Sequence, residues 1–592
     1  MSFFETASLI YIADFAAASA SAVSGSGTNT GKAYSIKPTD GSGDFTFERG
    51  SDITATRVNS SGLIEKGRGN LLKYSEEFDN PYYSKLLGTL TTNQTTAPDG
   101  SLTADLFTKT SGVNTVSELQ ASGVYPSTGI FTFSVYVKQN VGDDVLLRLD
   151  FNGNTANASF QFSTKSISTI GSNVIDATAT ELANGWFRLS VTGNVTNTSW
   201  SLSIVNLFSN PTNDSIFVWG AQLEQGLVAT DYIETTTTPL RAGLLEDEPR
   251  FDYHNSASAT PNTCPSLLLE PERTNLITNS EYYNGWTQSG TTLTTNTTET
   301  LSPEGLYNAS KLVGNGTTGV INSGIAKTGS VVVSVYLKSV SGSVNVTFKD
   351  PYGGLANEVK SVTTEWQRFD FIGDNGFSFA GFWIDDIPAS GIYMWGAQLE
   401  QGSYPTSYIP TYGTAATRGG DNCFLNSTSI LEQTSATYFL ETTPEEITSN
   451  NFIDARGASS TNNRILWQTN SGGALRILVR AQGSSILDQN ISNAVANDTK
   501  VKIALKYTPT NITVYVDGVK KIDTDVSVDF SPEINGIDLE GSATSNDDPL
   551  RHHQFLFFPE ALSDTDCEIL TGATTYSSFA AMASALNYTV YE

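Results

Sequence analysis

Val218-Trp219-Gly220-Ala221-Gln222-Leu223-Glu224-Gln225-Gly226 returns, changed only at its first residue, as Met394-Trp395-Gly396-Ala397-Gln398-Leu399-Glu400-Gln401-Gly402. Other landmarks recur around it in the same order. Asn70-Leu71-Leu72 and Ser75-Glu76 return as Asn275-Leu276-Ile277 and Ser280-Glu281, and Ala97-Pro98-Asp99-Gly100 as Ser302-Pro303-Glu304-Gly305. Ser134-Val135-Tyr136-Val137-Lys138 matches Ser334-Val335-Tyr336-Leu337-Lys338, Gly185-Trp186-Phe187-Arg188 matches Glu365-Trp366-Gln367-Arg368, and Thr230-Asp231-Tyr232-Ile233 matches Thr406-Ser407-Tyr408-Ile409. The offset falls from 205 residues at Asn70 to 176 at Trp219, so the second copy is the shorter. Loops tolerate deletion far better than strands do, so two copies of one domain that differ in their loops account for the pattern.

Within each copy the apolar residues alternate. Phe131-Thr132-Phe133-Ser134-Val135-Tyr136-Val137 and Val145-Leu146-Leu147-Arg148-Leu149 have period two and are bounded by Gly, Asn, Asp and Pro, which predicts half-buried strands. After Arg418-Gly419-Gly420-Asp421, which reads as a hinge, a third unit shows the same pattern in Ala436-Thr437-Tyr438-Phe439-Leu440 and Val501-Lys502-Ile503-Ala504-Leu505. Its Asp517-Gly518 pair suits a tight hairpin, and one helix is expected from Phe579 to Leu586. Residues 1–65 hold too few apolar side chains for a core, so an attachment arm is expected there, extended or briefly helical, whose strands dock on the next domain or on a partner chain.

Composition narrows the function. A chain of 592 residues exceeds one hydrophobic core. A net charge of −28 leaves almost no cationic surface for a phosphate backbone, so nucleic acid is not an expected partner. The low charged fraction, 16%, fits neutral polar strand faces better than long surface helices. Cys264, Cys423 and Cys567 are odd in number and widely spaced, which predicts free thiols, mostly buried. The first cation is Lys32 and no long apolar run exists, so neither a signal peptide nor a membrane span is expected.

Several segments resemble those of tailed-bacteriophage virion proteins, especially tail fibres and related adhesins. They are Asp44-Phe45-Thr46-Phe47-Glu48-Arg49, Ala55-Thr56-Arg57-Val58-Asn59, Pro249-Arg250-Phe251-Asp252-Tyr253, Cys264-Pro265-Ser266-Leu267-Leu268-Leu269-Glu270-Pro271-Glu272-Arg273-Thr274-Asn275-Leu276 and both Trp-Gly-Ala-Gln-Leu-Glu phrases. Each repeat also resembles carbohydrate-binding-module jelly rolls, on its opening Asn-Leu strand and the loop Asn284-Gly285-Trp286. The last unit is similar to laminin-G or concanavalin-like sandwiches, on Thr513-Val514-Tyr515-Val516-Asp517-Gly518-Val519 and Phe555-Leu556-Phe557-Phe558-Pro559-Glu560-Ala561-Leu562-Ser563-Asp564. The resemblance implies an all-β protein: an arm (1–65), a jelly roll (66–240), a connector (241–270), a second jelly roll (271–418) and a concanavalin-like sandwich (419–592). It also implies a virion surface protein that binds host-surface glycan or another receptor, attaches to other virion proteins by its arm, and forms a homo-oligomer, a trimer in the family.

Candidate sites divide by chemistry. Glycan stacking needs exposed rings, and the aromatics absent from the repeat are the candidates: Tyr82, Tyr83, Trp200, Trp286, Trp383 and Trp467. The repeated Trp186, Trp366, Trp219 and Trp395 are expected in the core. Glu76 and Glu281 share one place in the repeat and Glu224 and Glu400 another, so each pair could contribute to a calcium site or, as the simpler alternative, cap a turn or pair with a cation such as Arg188 or Arg368. Asp350, Asp385, Asp386 and the run Glu246, Asp247, Glu248 read as solvating charge, with a cation site as the alternative. His254, His552 and His553 suggest no catalytic constellation, and no short-period strand repeat of the kind that builds a depolymerase β-helix is visible, so no enzyme is expected. The alternative to an adhesin is a structural or decorative virion component, a head fibre or tail-assembly protein with no receptor contact.

Overall fold

The computed structural model describes residues 7, 9–12, 31–33, 42–51, 53–110, 117–151, 154–199, 201–206, 213–255, 260–262, 264–426, 428–447, 451–457, 462–470, 472–539 and 549–572. The regular structure of the described chain is nearly all antiparallel strand. It forms two compact units: Met1–Lys66, Leu244–Arg273 and Thr417–Glu592 in one, Gly67–Gly243 and Thr274–Ala416 in the other. No described helix is long and apolar enough to cross a membrane.

The second of these units holds both repeats, each as a two-sheet jelly-roll sandwich. In the first copy, two six-stranded sheets enclose a core of Phe131, Phe133, Val135, Leu147, Phe160, Leu189, Ile204 and Leu223, the inward members of the alternating runs. In the second copy, two five-stranded sheets enclose Val333, Val335, Val346, Phe348, Phe371, Phe382, Ile384 and Leu399. The register repeats as well: Tyr136 stands opposite Trp219 and Ser134 opposite Gln222, Tyr336 opposite Trp395 and Ser334 opposite Gln398, with a bulge between the two pairs in each copy. Gly220 and Gly396 sit in these bulges at φ +61° and +63°, a left-handed conformation that a Cβ disfavours.

The two copies touch. Ile130, Leu227 and Tyr412 form a buried apolar cluster between them, and Asn296 Nδ2 donates to Asp176 Oδ2 at 2.8 Å and to the Leu227 carbonyl at 2.9 Å. Ile130 N donates to the Tyr412 carbonyl at 2.8 Å, so close that a Cβ on neighbouring Gly129 would lie 1.9 Å from that oxygen.

The other unit is one sandwich built from three separated stretches of chain. Its first sheet runs Arg250–Asp252, Ser266–Leu269, Leu550–Phe558, Ala436–Pro444, Val501–Thr508, Asn511–Val516 and Val519–Asp525, with Leu9–Ile12 also pairing on Leu550–Phe558. Its second runs Lys32–Ala33, Phe45–Glu48, Asn422–Leu425, Gly536–Asp538, Asn451–Arg456, Arg464–Asn470, Ala474–Ala481 and Ser484–Ile491. Of the expected arm and connector, the strands Lys32–Ala33, Phe45–Glu48, Arg250–Asp252 and Ser266–Leu269 are therefore integral to the C-terminal sandwich, while Thr56–Val58 and Ile64–Lys66 pair with each other. Phe45 and Phe47, alternate residues of one strand, enter the same core as Tyr438, Trp467 and Phe555. Asp517 and Gly518, both at positive φ, make the hairpin turn between Asn511–Val516 and Val519–Asp525. The helix expected from Phe579 to Leu586 lies outside the described residues. A short helix the sequence reading missed runs over Asp564–Thr571, capped by Ser563 Oγ, which accepts from Asp566 N at 3.1 Å.

Buried charges cross-link the three stretches. Glu270 Oε2 takes Arg250 at 2.6 Å and Arg418 at 2.8 Å, and Asp421 takes Arg250 and, at 3.5 Å, Arg49. All five side chains are buried. Arg49 also donates to the carbonyls of Ser51, Leu245 and Glu248. Desolvation, reinforced by the charges of Arg250 and Arg418, pulls its guanidinium down to about 10 against the attraction of Asp421. The run Glu246, Asp247, Glu248 is correspondingly not mere solvating charge. Asp247 Oδ1 accepts from Arg49 N at 2.6 Å and Gly50 N at 2.8 Å, and Glu248 pairs with Arg57 at 3.1 Å.

Candidate functional site

The repeated phrase is a structural lock. Its Trp lies between two tyrosines from other landmarks: Trp219 is 5.2 Å from Tyr136 and 4.7 Å from Tyr232, and Trp395 is 5.6 Å from Tyr336 and 4.6 Å from Tyr408. Arg188 and Arg368 sit over the Tyr136 and Tyr336 rings. Gln222 Oε1 accepts from Ile233 N at 2.7 Å, and Gln398 Oε1 from Ile409 N at 2.6 Å. Asn70 and Asn275 are fully buried and use both amide atoms on backbone: Nδ2 on the carbonyls of Ala221 and Ile233, or Ala397 and Ile409, and Oδ1 on Leu72 N and Leu223 N, or Ile277 N and Leu399 N. Thus the Trp-Gly-Ala-Gln-Leu-Glu strand pins the segment that follows it. Trp186, Trp219 and Trp395 are buried, as the core reading expected, while Trp366 is only half-buried.

The four glutamates serve the same lock. Glu224 accepts from Thr230 N at 3.0 Å, Thr230 Oγ1 at 2.6 Å and Gln222 Nε2 at 2.7 Å, and Glu400 accepts from Thr406 N at 2.9 Å and from Thr406 Oγ1. Glu281 accepts from Tyr408 and Tyr412 on one oxygen and from Asn308 Nδ2 on the other, and Glu76 accepts from Tyr232 at 3.1 Å. Desolvation raises the Glu224 carboxyl, partly offset by its bonds to Thr230 and Gln222. Lone pairs already met by N–H and O–H donors are not offered to a hard cation, so Glu224, Glu281 and Glu400 do not fit a calcium ion. Among the described residues no three His, Cys, Asp or Glu side chains gather as a metal site.

Three candidate aromatics are core residues. Trp286 is 6% exposed, 5.1 Å from Tyr283 and 6.4 Å from Phe382; Trp467 is 0% exposed; and Tyr83 is 3% exposed, 5.0 Å from Phe78. A ring whose faces are covered by neighbouring side chains cannot meet a sugar. Tyr82 is half-buried and packs edge-on against Tyr83, and Trp200 lies outside the described residues. His552 is fully buried between Thr442 Oγ1 at 2.9 Å and the Leu539 carbonyl at 2.6 Å, while His553 lies beside Thr443.

Trp383 is placed differently. On its strand, Phe379–Asp385, the side chains of Ala380, Phe382 and Ile384 enter the core, so Phe379, Trp383 and Asp385 face outward. Trp383 is half-buried and stands opposite Ile321 on one side and Lys349 on the other. The Lys349 ammonium is 4.7 Å from its ring centroid and donates to Asp385 Oδ2. Asp385 Oδ1 is buried without a hydrogen-bond partner. Beyond it Thr347 donates to Asp386 at 2.5 Å and faces exposed Val359. Farther along the strand Phe379 is 49% exposed, next to Phe377 at 52%, which stacks on Tyr352. The acids expected to solvate are thus engaged: Asp385 holds Lys349, and Asp350 takes Tyr352 N and Gly354 N to close a turn. Sequence reading missed Lys349, Phe377 and Phe379, although the alternation that turns Trp383 outward also turns Phe379 outward.

The first copy lacks this arrangement. Its corresponding strand, Ser201–Asn206, sends Leu202 and Ile204 inward and puts Ser203 opposite Arg148, which pairs with Glu118 at 3.1 Å.

No protein-family model matches the sequence, and no curated protein matches it. Among solved structures the chain is similar to the CBM40 of the Ruminococcus gnavus IT-sialidase bound to alpha2,3 sialyllactose, at 14% identity and TM-score 0.22, over 24% of this chain and 85% of that one. It is similar to the receptor binding domain of the botulinum neurotoxin C/D mosaic serotype at 13% identity and TM-score 0.22, over 26% of this chain and 40% of that one. The binding domain of botulinum neurotoxin serotype D stands at 14% identity and the same TM-score, again over 26% of this chain and 40% of that one.

Proposed function

We propose that the chain is a non-enzymatic adhesin on the surface of a tailed-bacteriophage particle, binding host-surface glycan through the outer face of its second jelly roll. The observation that carries the reading is Trp383, an outward ring with a cationic donor in Lys349 and a buried acceptor in Asp385 Oδ1 beside it. An apolar ring face fits the C–H face of a pyranose, and the flanking ammonium fits its hydroxyls. The phage setting rests on the sequence resemblance, as does the homotrimer it implies, in which several weak sites would engage one surface together. Attachment to the particle falls to a surface other than the strand Phe45–Glu48, whose two edges are both paired within the chain.

The test is binding of the full chain to a glycan array and to host cells, beside Trp383→Ala. The half-exposed ring is not part of the sandwich core, so the variant folds. Saturable binding that weakens at least tenfold in the variant is expected. Undiminished binding by Trp383→Ala removes the site, and no binding by the folded, assembled wild type moves the weight to the structural virion component.

A further inference from the structure

Three arginines stand in a row on the outer face of the C-terminal sandwich. Arg456 is registered opposite Arg464, and Arg464 opposite Arg480, on three neighbouring strands. Their chain neighbours Ala455, Ile465, Val479 and Ala481 enter the core, which turns all three outward. Residues directly opposite on adjacent strands have Cβ atoms about 5 Å apart, and like charges there destabilise the sheet. Two of the charges are compensated from beneath. Buried Asp454 accepts from Arg456 Nη1 at 2.8 Å and from Arg464 Nε and Nη2 at 2.7 and 3.1 Å, and Asp538 lies 3.5 Å from Arg456.

The third charge is not compensated. The Arg480 side chain makes no hydrogen bond or ion pair among the described residues, and its Nε is buried without a partner. Asp488, the acid on which its charge acts, is held by Arg476 through both oxygens at 2.7 Å. The row is also held in place: Gln482 N donates to Asn463 Oδ1 at 2.9 Å and Gly483 N to the Asn462 carbonyl at 3.0 Å, tying the approach to Arg464 to the turn after Arg480.

Three guanidinium groups over two carboxylates leave one excess positive charge at this spot, in a chain whose net charge is −28. Guanidinium forks match the oxygen spacing of carboxylate and phosphate, and adjacent forks can share one such group. We propose that Arg456, Arg464 and Arg480 form a site for a single oxyanion, a carboxylate or a phosphate ester, in which Arg480 makes the decisive contact. The site is separate from the Trp383 face and is tested separately.

The experiment is calorimetric titration of the full chain with D-glucuronate, with D-glucose 6-phosphate and with D-glucose, at about 0.15 M salt, where a screening length of about 8 Å removes the repulsion of the distant acids. One anion bound per chain is expected, no binding of glucose, at least tenfold weaker affinity in Arg480→Gln, and unchanged affinity in Trp383→Ala. Which anion binds distinguishes carboxylate from phosphate. Arg480→Gln is also expected to melt no lower than the wild type, because it removes an uncompensated like charge. Absence of anion binding by the wild type, equal binding by Arg480→Gln, or a lowered melting temperature of that variant would overturn the proposal, the last by making Arg480 a structural residue.

Discussion

Replacing Asp421 by Ala tests whether the C-terminal sandwich is closed by its buried charges. Asp421 holds Arg250 and Arg49, accepts from Glu270 N at 2.9 Å, and is itself 3% exposed. Its loss leaves three buried arginines, Arg49, Arg250 and Arg418, with the single carboxylate of Glu270. Removing one partner from a buried ion network costs about 3–5 kcal/mol, because the remaining charge stays desolvated. A domain's whole stability is about 5–15 kcal/mol, so the loss is a large share. At about 2–4 °C per kcal/mol for a domain of this size, the transition of the unit should fall by about 10 °C. The control is Asp488→Ala, which breaks a bidentate ion pair with Arg476, but at a site where the carboxylate is 44% exposed. There the expected cost is under about 1 kcal/mol. Scanning calorimetry of the full chain gives both shifts, and hydrogen exchange should show Phe45–Glu48 and Ser266–Leu269 losing protection together in Asp421→Ala. Equal shifts in the two variants, or a fall under about 3 °C in Asp421→Ala, would refute the claim that burial and not pairing sets the magnitude.

Two further outcomes follow from the same geometry. Glu400→Ala strands the buried N–H and hydroxyl of Thr406 and should cost about 2–3 kcal/mol, while calcium and chelator leave the wild-type melting temperature unchanged; a calcium-dependent rise would restore a metal to the repeat. His552 is pushed down to about 4, chiefly by desolvation and also by the charge of His553, against a bond to the Leu539 carbonyl that raises it. A depressed histidine makes the unfolded chain the better proton binder between about 6.5 and 4, so its contribution is complete above pH 6.5 and is lost as the pH falls through that window, on the order of 3 kcal/mol by pH 4. With only three histidines in the chain, NMR titration can follow the ring directly, and titration near pH 6.5 would refute its burial as a neutral imidazole.

Much of the fold was legible because it is local. Alternation in Phe131-Thr132-Phe133-Ser134-Val135 specified both the strand and its inward face, and Asp517-Gly518 specified a hairpin. The partners of the arm and connector strands were not legible, for the opposite reason. Phe45-Thr46-Phe47 carries the strand signal, but its partner Asn422–Leu425 lies far along the chain, and nothing near residue 45 reveals it. The buried charges were equally hidden, since Arg49, Arg250, Glu270, Arg418 and Asp421 gather only after three stretches of chain converge.

The candidate aromatics show where repeat logic helps and where it misleads. Absence from the repeat does not by itself mean exposure, for Tyr83 and Trp286 do equivalent work: each covers a ring shared in position by the two copies, Phe78 at 5.0 Å and Tyr283 at 5.1 Å. Two related cores can fill one space with different residues, so a difference between copies marks a functional residue only when the side chain also faces solvent. Identity between copies is informative in the other direction. The shared Asn, Ser, Gln and most of the shared Glu spend their polar atoms on the lock that pins Thr230-Asp231-Tyr232-Ile233 and Thr406-Ser407-Tyr408-Ile409. Trp383 satisfies both conditions, since it differs from Ser203 in the first copy and faces outward. Arg480, in a domain with no second copy to compare, stands out instead by a charge that the fold does not compensate.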